Sequence, residues 1–327
     1  MRILVTGSAG HLGEALMRVL SGSGHHAIGF DVQASPYTDI VGSVGDSGLV
    51  AEAMDGVHAV LHTATLHKPH VGTHRRQDFV DTNITGTLTL LEESVRIGLS
   101  AFVFTSTTSA FGGALTPPPG APAAWIDETV RGAPKNIYGV TKTAAEDLCE
   151  LFHRRHGLPC LILRTSRFFP EEDDNRERRA RWSDTNAKAN EFLFRRVDLE
   201  DAAQAHLDAL DRAARIGFAR YIVSATTPFR RADLPGLRGD PGKIVAAHYP
   251  DFAEIYGRLG YRMFDEIDRV YDNAKARREL GWKPLYDFGA VLDQISRGAP
   301  IGSDLARAVG SKGYHDEVFE DGPYPVE

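Results

Sequence analysis

The stretch Ile3-Leu4-Val5-Thr6-Gly7-Ser8-Ala9-Gly10-His11-Leu12-Gly13 decides the fold. Its apolar start reads as a buried strand, its three glycines as a tight turn, and the run from Glu14 to Leu20 as a helix. Such a turn leaves backbone N–H groups and a helix N-terminus facing a pyrophosphate. A second apolar strand, Ala27 to Phe30, ends at Asp31, an acid spaced to bond a ribose 2′-hydroxyl. An ordinary strand–turn–helix with incidental glycines is the alternative, and the placement of Asp31 argues against it.

Outward from this start, short β-rich runs alternate with helical stretches. Strands are expected at 2–6, 26–31, 58–62, 101–105, 159–164 and 220–224, and helices at 11–22, 47–55, 78–98, 138–156 and 200–213. That alternation specifies an α/β fold, a Rossmann-type doubly wound parallel sheet with helices on both faces. The Pro/Gly-rich stretch 113–122 reads as a loop, and beyond residue 165 the alternation fades. We therefore expect a dinucleotide-binding domain of residues 1–165 plus 197–227. A small substrate-binding lobe and tail would take 166–196 plus 228–327, the last 25 residues held loosely. The helices at 83–97 and 138–153 carry apolar stripes on more than one face, which suits pairing in a homodimer.

The chain has 327 residues, 42% hydrophobic and 25% charged, the composition of a soluble globular protein. A net charge of −7 gives no basic footprint for nucleic acid. Cys149 and Cys160 both fall in buried periodic segments and read as small core residues. No metal-ligand spacing appears despite thirteen histidines. A first strand at residue 2 leaves no room for a signal peptide, and no 18-residue apolar run exists to span a membrane, so a cytoplasmic protein is expected.

Tyr138 and Lys142 stand four apart at the start of a helix and so share a face. A phenol with a pKa near ~10 is a poor base at neutral pH. A nearby ammonium, together with a cationic nicotinamide, favours phenolate. Such a tyrosine can take a proton from a substrate hydroxyl while hydride leaves the same carbon. Thr107 follows the strand from Ala101, at the strand end where open parallel sheets bind ligands, and its hydroxyl can orient the reacting oxygen. Alone, Tyr-x-x-x-Lys is as readily a surface pair; the glycine turn changes that reading.

These residues resemble the extended short-chain dehydrogenases/reductases of the NAD-dependent epimerase/dehydratase family, over roughly residues 1–290. Thr6 to Gly13 is similar to the family's Thr-Gly-x-x-Gly-x-x-Gly. His62-Thr63-Ala64-Thr65 falls where the family often has His-Leu-Ala-Ala. Asn83-Ile84-Thr85-Gly86-Thr87 resembles its Asn-Val-x-Gly-Thr, and Phe104 to Gly112 its Ser-rich strand end. Val197-Asp198-Leu199-Glu200-Asp201 resembles its Val-Asp-Asp segment, and Ala274 to Pro284 its Lys-Ala-x-x-x-Leu-Gly-Trp-x-Pro. The resemblance implies NAD, held by Gly7, Gly10, His11, Leu12, Gly13 and Asp31 on one side. Ser43, Val44, Thr63, Ala64, Thr65, Asn83 and Thr105 would complete the groove with Tyr138, Lys142 and Arg167. Asp31 repels a 2′-phosphate and Val32-Gln33 offers no arginine to receive one, so NAD is expected over NADP. Ser43 stands where many relatives use an Asp against the adenine amine.

The substrate half departs from the pattern. Arg167 replaces the family's Asn in Leu-Arg-x-x-Asn, and Phe192 stands where sugar-nucleotide members often carry a diphosphate-gripping Arg, though Arg195 and Arg196 lie close. Arg164 to Glu171 resembles a segment of the uronate dehydrogenases, whose carboxylate-gripping Arg corresponds to Arg176. Arg176 also reads as one solvated charge in the run 171–181, which is either a surface turn or part of a substrate lid. His67, in Leu-His-Lys-Pro-His, and Thr108 are further candidates to contact a sugar-like substrate. The family's dehydratases often follow the catalytic Thr with Asp-Glu; Thr108-Ser109 here disfavours dehydration. An NAD-dependent epimerase/oxidoreductase acting on a sugar or nucleotide sugar is therefore expected. A free sugar-acid dehydrogenase is the alternative, and intact Thr107, Tyr138 and Lys142 argue against a non-catalytic NAD-binding sensor.

Overall fold

A computed structural model describes residues 1–173, 175–313 and 319. Among them, seven parallel strands form the main sheet: β1 (Arg2–Thr6), β2 (His26–Asp31), β3 (Ile40–Val41), β4 (Ala59–His62), β5 (Ala101–Thr107), and then β7 (Cys160–Thr165) and β8 (Phe218–Val223) beyond a short β6 (Ala124–Ile126). The spatial order is β3-β2-β1-β4-β5-β7-β8. The order reverses between β1 and β4, and ligands in open α/β sheets bind at such a switch point. β1 is in register with both neighbours there, Thr6 beside Phe30 on one side and His62 on the other. β6 pairs in parallel with β9 (Arg269–Tyr271) as a separate two-stranded sheet.

Helices cover both faces because their apolar stripes need them. α1 (His11–Ser21) buries Leu12, Leu16 and Leu20 against β1, β4 and α8 (Leu199–Ile216). On the opposite face lie α2 (Ser47–Ala53), the short α3 (Arg76–Phe79), α4 (Gly86–Arg96) and α5 (Ile137–His156), over Leu4, Val60, Phe102 and Ile162. Cys149 and Cys160 are free and buried there. Two short helices, α6 (Arg176–Arg181) and α7 (Asp184–Glu191), follow β7. A second core, around Trp182, Phe192, Phe252, Tyr256 and Phe288, forms the lobe with α9 (Leu234–Leu237), α10 (Pro241–His248), α11 (Phe252–Leu259) and α13 (Phe288–Ser296).

Four expectations change. The helix expected over 78–98 is broken by a π-helical turn, Val80–Thr85, between α3 and α4. The run 171–181 is not a plain surface turn, since Asn175 caps α6 by accepting the Arg178 amide at 2.9 Å. α12 (Ala274–Leu280) and Trp282 leave the lobe and pack in the sheet's core with α1 and α8. The tail is not loose where it is described: Asp304–Val309 is a helix, α14, with Val309 in that same core. Residues 314–318 and 320–327 of the tail lie outside the described residues.

The Val-Asp-Leu-Glu-Asp and Leu-Gly-Trp-Lys-Pro segments, some 80 positions apart, form one joint. The Trp282 indole donates to the Asp201 carbonyl at 2.9 Å, and the Asp201 carboxylate accepts the Leu285 and Tyr286 amides at 2.8 and 2.9 Å. Among the described residues no helix is long and apolar enough to cross a membrane, and no cluster of His, Cys, Asp or Glu is arranged to hold a metal ion.

Candidate active site

At the switch point lies a cavity of about 1190 Å³, deep enough for a dinucleotide and a further ligand. The glycine turn forms one wall. Gly7 sits at φ +73°, a left-handed conformation that only glycine adopts without strain. A Cβ on Gly13 would lie 1.9 Å from the Gly7 carbonyl oxygen, so α1 can begin this close to the turn only as it stands. Gly10 caps α1 without a side-chain acceptor, leaving the first-turn amides to a ligand. Asp31 ties the turn from outside, its carboxylate accepting the Ala9 amide and the Gln33 amide at 2.9 Å each. This donor set suits a ribose and a diphosphate.

His11, Leu12, Ser43, Val44, Thr63, Ala64, Thr65 and Thr105 also line the cavity. The Ser43 hydroxyl accepts the Gly45 amide at 3.1 Å and keeps a lone pair for a second donor. Behind the lining, His62 bonds Thr6 at 2.7 Å and Thr87 at 3.0 Å. The Thr87 hydroxyl donates to the Asn83 carbonyl, so His62 donates from Nε2 and accepts at Nδ1. Burial, then the Lys142 charge, holds this imidazole well below its usual pKa, so it is a neutral clamp joining β1, β4 and α4. Thr105 is likewise held by the buried His206 at 2.7 Å.

Asn83 does not line the cavity. From the π turn its amide oxygen accepts the Thr65 hydroxyl and the Leu66 amide at 2.9 Å each. Its nitrogen donates to the Leu66 carbonyl at 2.9 Å and to Thr141 at 3.0 Å. It shapes the loop after β4 rather than facing a ligand.

Asn136 caps α5, accepting the Gly139 amide at 3.1 Å, and so fixes Tyr138 in the first turn. Tyr138, Thr107 and Thr108 all line the cavity, and the Thr107 hydroxyl accepts the Ser109 amide at 3.0 Å. Lys142 is 2% exposed and outside the lining, with its ammonium 4.0 Å from the Phe104 ring centroid. Burial pushes Tyr138 up to about 12, with the Thr107 hydroxyl acting the other way, and pushes Lys142 down to about 7 against Cys149 and Glu146. The phenol shift is opposite to that expected from a neighbouring ammonium. Both groups occupy a dry interior, and desolvation penalises each charged form.

The other wall is made of side chains from the β7–α8 connection. Arg167, Arg178 and Arg195 line the cavity and reach the buried Asp173 carboxylate at 3.3, 3.5 and 3.4 Å. Arg167 also donates to the Glu171 and Glu172 carbonyls at 3.2 and 2.7 Å. Phe192, at the position of the family's diphosphate Arg, is in the lobe core instead. Arg176 is exposed at the first residue of α6 and is not brought to the cavity. His67 lines the cavity beside His70, their ring centroids 4.7 Å apart. Burial, then His70 and His11, holds His67 well below its usual pKa, with Glu171 pulling the other way.

The sequence reading missed Arg178, Asp173, Tyr271 and Lys312 in the lining. Only the density of charge at 171–181 signalled the first two. Tyr271 arrives through the β6–β9 pairing, which puts Ile126 beside it and brings its phenol to Thr108. No local pattern encodes that meeting.

Residues 3–217 match the NAD dependent epimerase/dehydratase family. The UDP-glucose 4-epimerase of Rhizobium meliloti (strain 1021) is 27% identical over 329 residues, covering 89% of this chain and 94% of that enzyme. Among solved structures, an NAD-bound short-chain dehydrogenase/reductase superfamily protein from Agrobacterium tumefaciens superposes with a TM-score of 0.65 at 23% identity, over 94% of this chain and 97% of that one. The Thermotoga maritima UDP-glucose 4-epimerase, solved with UDP-glucose, gives 0.63 at 21%, over 91% and 98%. These structures share the fold. With the glycine turn, Asp31 and the family match together, the chain belongs to the NAD-dependent epimerase/dehydratase family and is an NAD-dependent enzyme.

Proposed function

We propose that this enzyme transfers hydride at a secondary-alcohol carbon of an anionic, sugar-type substrate, with a nucleotide sugar as the class and epimerisation as the net reaction. The observation that carries the reading is the arginine wall. Three guanidiniums share Asp173, and buried Ser166 Oγ and Arg195 Nε have no hydrogen-bond partner among the described residues. Glu191 also pairs with Arg195 at 2.6 Å and with Arg196 at 3.0 Å, so two carboxylates face four guanidiniums, and the wall offers positive charge and donors to an anion in the cavity that Tyr138 also lines. The epimerase relative supports the class.

Thr107 orients the substrate hydroxyl toward the Tyr138 oxygen, and Tyr138 takes its proton as the carbon is oxidised. When bound, NAD supplies the hydride acceptor and a positive charge beside the phenol, which favours phenolate against the cost of burial. Lys142, one helical turn on, adds positive charge from beneath. Tyr138 then holds the proton until the substrate oxygen takes it back, and the roomy cavity leaves space for the sugar ring to turn between the two transfers. Val140 and Leu151, 49% and 37% exposed on α5, support a homodimer paired through this helix.

A free sugar-acid dehydrogenase is the second reading, favoured by the short connection from Pro170 to Val197, which leaves little chain to wrap a nucleotide. The test is to incubate the NAD-loaded enzyme with UDP-glucose and, separately, with a free uronate. Conversion of UDP-glucose to its C4 epimer without net NADH is expected. Net NADH from the uronate alone would replace the first reading with the second.

A further inference from the structure

Beyond α14 the chain returns to the glycine turn. α14 is a firm base: the Asp198 carboxylate accepts the Ser303 amide at 2.9 Å, and Arg18 on α1 reaches the Ala308 carbonyl at 3.4 Å. From there residues 311–313 run to the cavity mouth, where Lys312 and Gly313 join the lining.

Glu171, 9% exposed, is the centre of a knot at that mouth. One of its oxygens, Oε1, accepts from His11 Nε2 at 3.0 Å, from the Ser311 hydroxyl at 2.7 Å and from the Lys312 amide at 3.2 Å. The Lys312 ammonium makes a second tie, to Glu14 in the first turn of α1. A single carboxylate therefore joins three separate pieces of chain: the first residue of α1, the loop after β7, and the C-terminal segment. All three meet at the first turn of α1, beside the glycine turn. Burial would lift the Glu171 carboxyl, but His11 and Ser311 carry it down to about 2, so the knot is ionised across the physiological range.

We propose that residues 311–313 are a retaining strap of the NAD site, latched by Glu171 across the diphosphate end, so that the cofactor leaves only when the latch opens. A diphosphate held by the glycine turn would meet the first turn of α1, and a segment tied to that turn through Glu171 on His11 and through Lys312 on Glu14 obstructs its exit. The inference needs the NAD site alone and is independent of which sugar the enzyme takes. A retained cofactor suits an enzyme that returns hydride to the same substrate.

The test is a stopped-flow measurement of NADH release from the full chain, followed by loss of energy transfer from tryptophan, with excess NAD as trap and no sugar present. Ser311→Ala combined with Lys312→Ala changes two exposed positions, and Glu171→Ala removes the latch itself. Each is expected to speed release about tenfold, the worth of one or two charge-assisted bonds. The triple variant should release no more slowly than Glu171→Ala alone, because it also lacks the Lys312 tie to Glu14. Arg307→Ala, on the outer side of α14, is expected to release at the parent rate. Release within about twofold of the parent in the Ser311/Lys312 variant would overturn the proposal, whether or not Glu171→Ala folds. Equal acceleration by Arg307→Ala would overturn it too, since loosening of α14 would then explain the effect.

Discussion

The two walls of the cavity are built to opposite rules. The cofactor wall is backbone: a glycine turn, the amides of a helix start, and loops held from behind by Asn83 and His62. The substrate wall is side chain: Arg167, Arg178 and Arg195 gathered around Asp173. A backbone wall tolerates no added atom, and the one carboxylate at this turn, Asp31, is held by the Ala9 and Gln33 amides. A side-chain wall can be re-cut residue by residue, and it sets which anion fits. Thr107 and Tyr138 line the cavity between them, and it is there that we propose the chemistry to occur.

Removing the reacting group should give the largest effect. Tyr138→Phe is expected to lower kcat about a thousandfold while NAD still binds, which steady-state rates and a cofactor titration would check. Turnover that survives the change would mean that another group carries the proton. On the cofactor wall, Gly13→Ala sets a Cβ 1.9 Å from the Gly7 oxygen and 2.8 Å from the Ser8 Cα, so the turn must open. At about 3 kcal/mol for such overpacking, NAD affinity should fall roughly a hundredfold. An unchanged dissociation constant would show that the turn does not set the diphosphate site.

The substrate wall should respond differently in kind. Arg195→Ala removes one of three guanidiniums and is expected to raise the substrate KM about tenfold with NAD affinity kept. Equal losses in both constants would erase the division between the walls.

That division also explains what was legible. The glycine turn, Asp31 and the Tyr138–Lys142 pair are each specified within a few residues, so spacing alone made them legible as candidates. Six strands of the main sheet lie within two or three residues of their expected ends, because apolar runs between turn signals mark buried parallel strands. The two-residue β3 and the β6–β9 pair are too short for any periodicity to mark. The π turn at 80–85 escaped because its apolar spacing still looks helical; what displaces it is Asn83 bonding a loop nearly twenty residues earlier. Lys312 was hidden for the same reason, as only the folded chain brings residue 312 to Glu14.

The smallest expected effect falls on the arginine that sequence spacing singled out. Arg176 sits six residues after Pro170, where a carboxylate-gripping arginine stands in the uronate dehydrogenases it resembles. Asn175, by capping α6, makes Arg176 its first helical residue and leaves it exposed, whereas Arg178, two positions on, lies on the side that lines the cavity. In a helix two positions are about 200° apart, so one turn of α6 cannot present both to the same ligand. Arg176→Ala should therefore leave KM for any sugar within about twofold, the range of ordinary surface substitutions, while Arg178→Ala does not. A tenfold rise with Arg176→Ala, seen only with free uronates, would mean that α6 turns toward the substrate on binding, and the charged run would then be the lid rather than the wall.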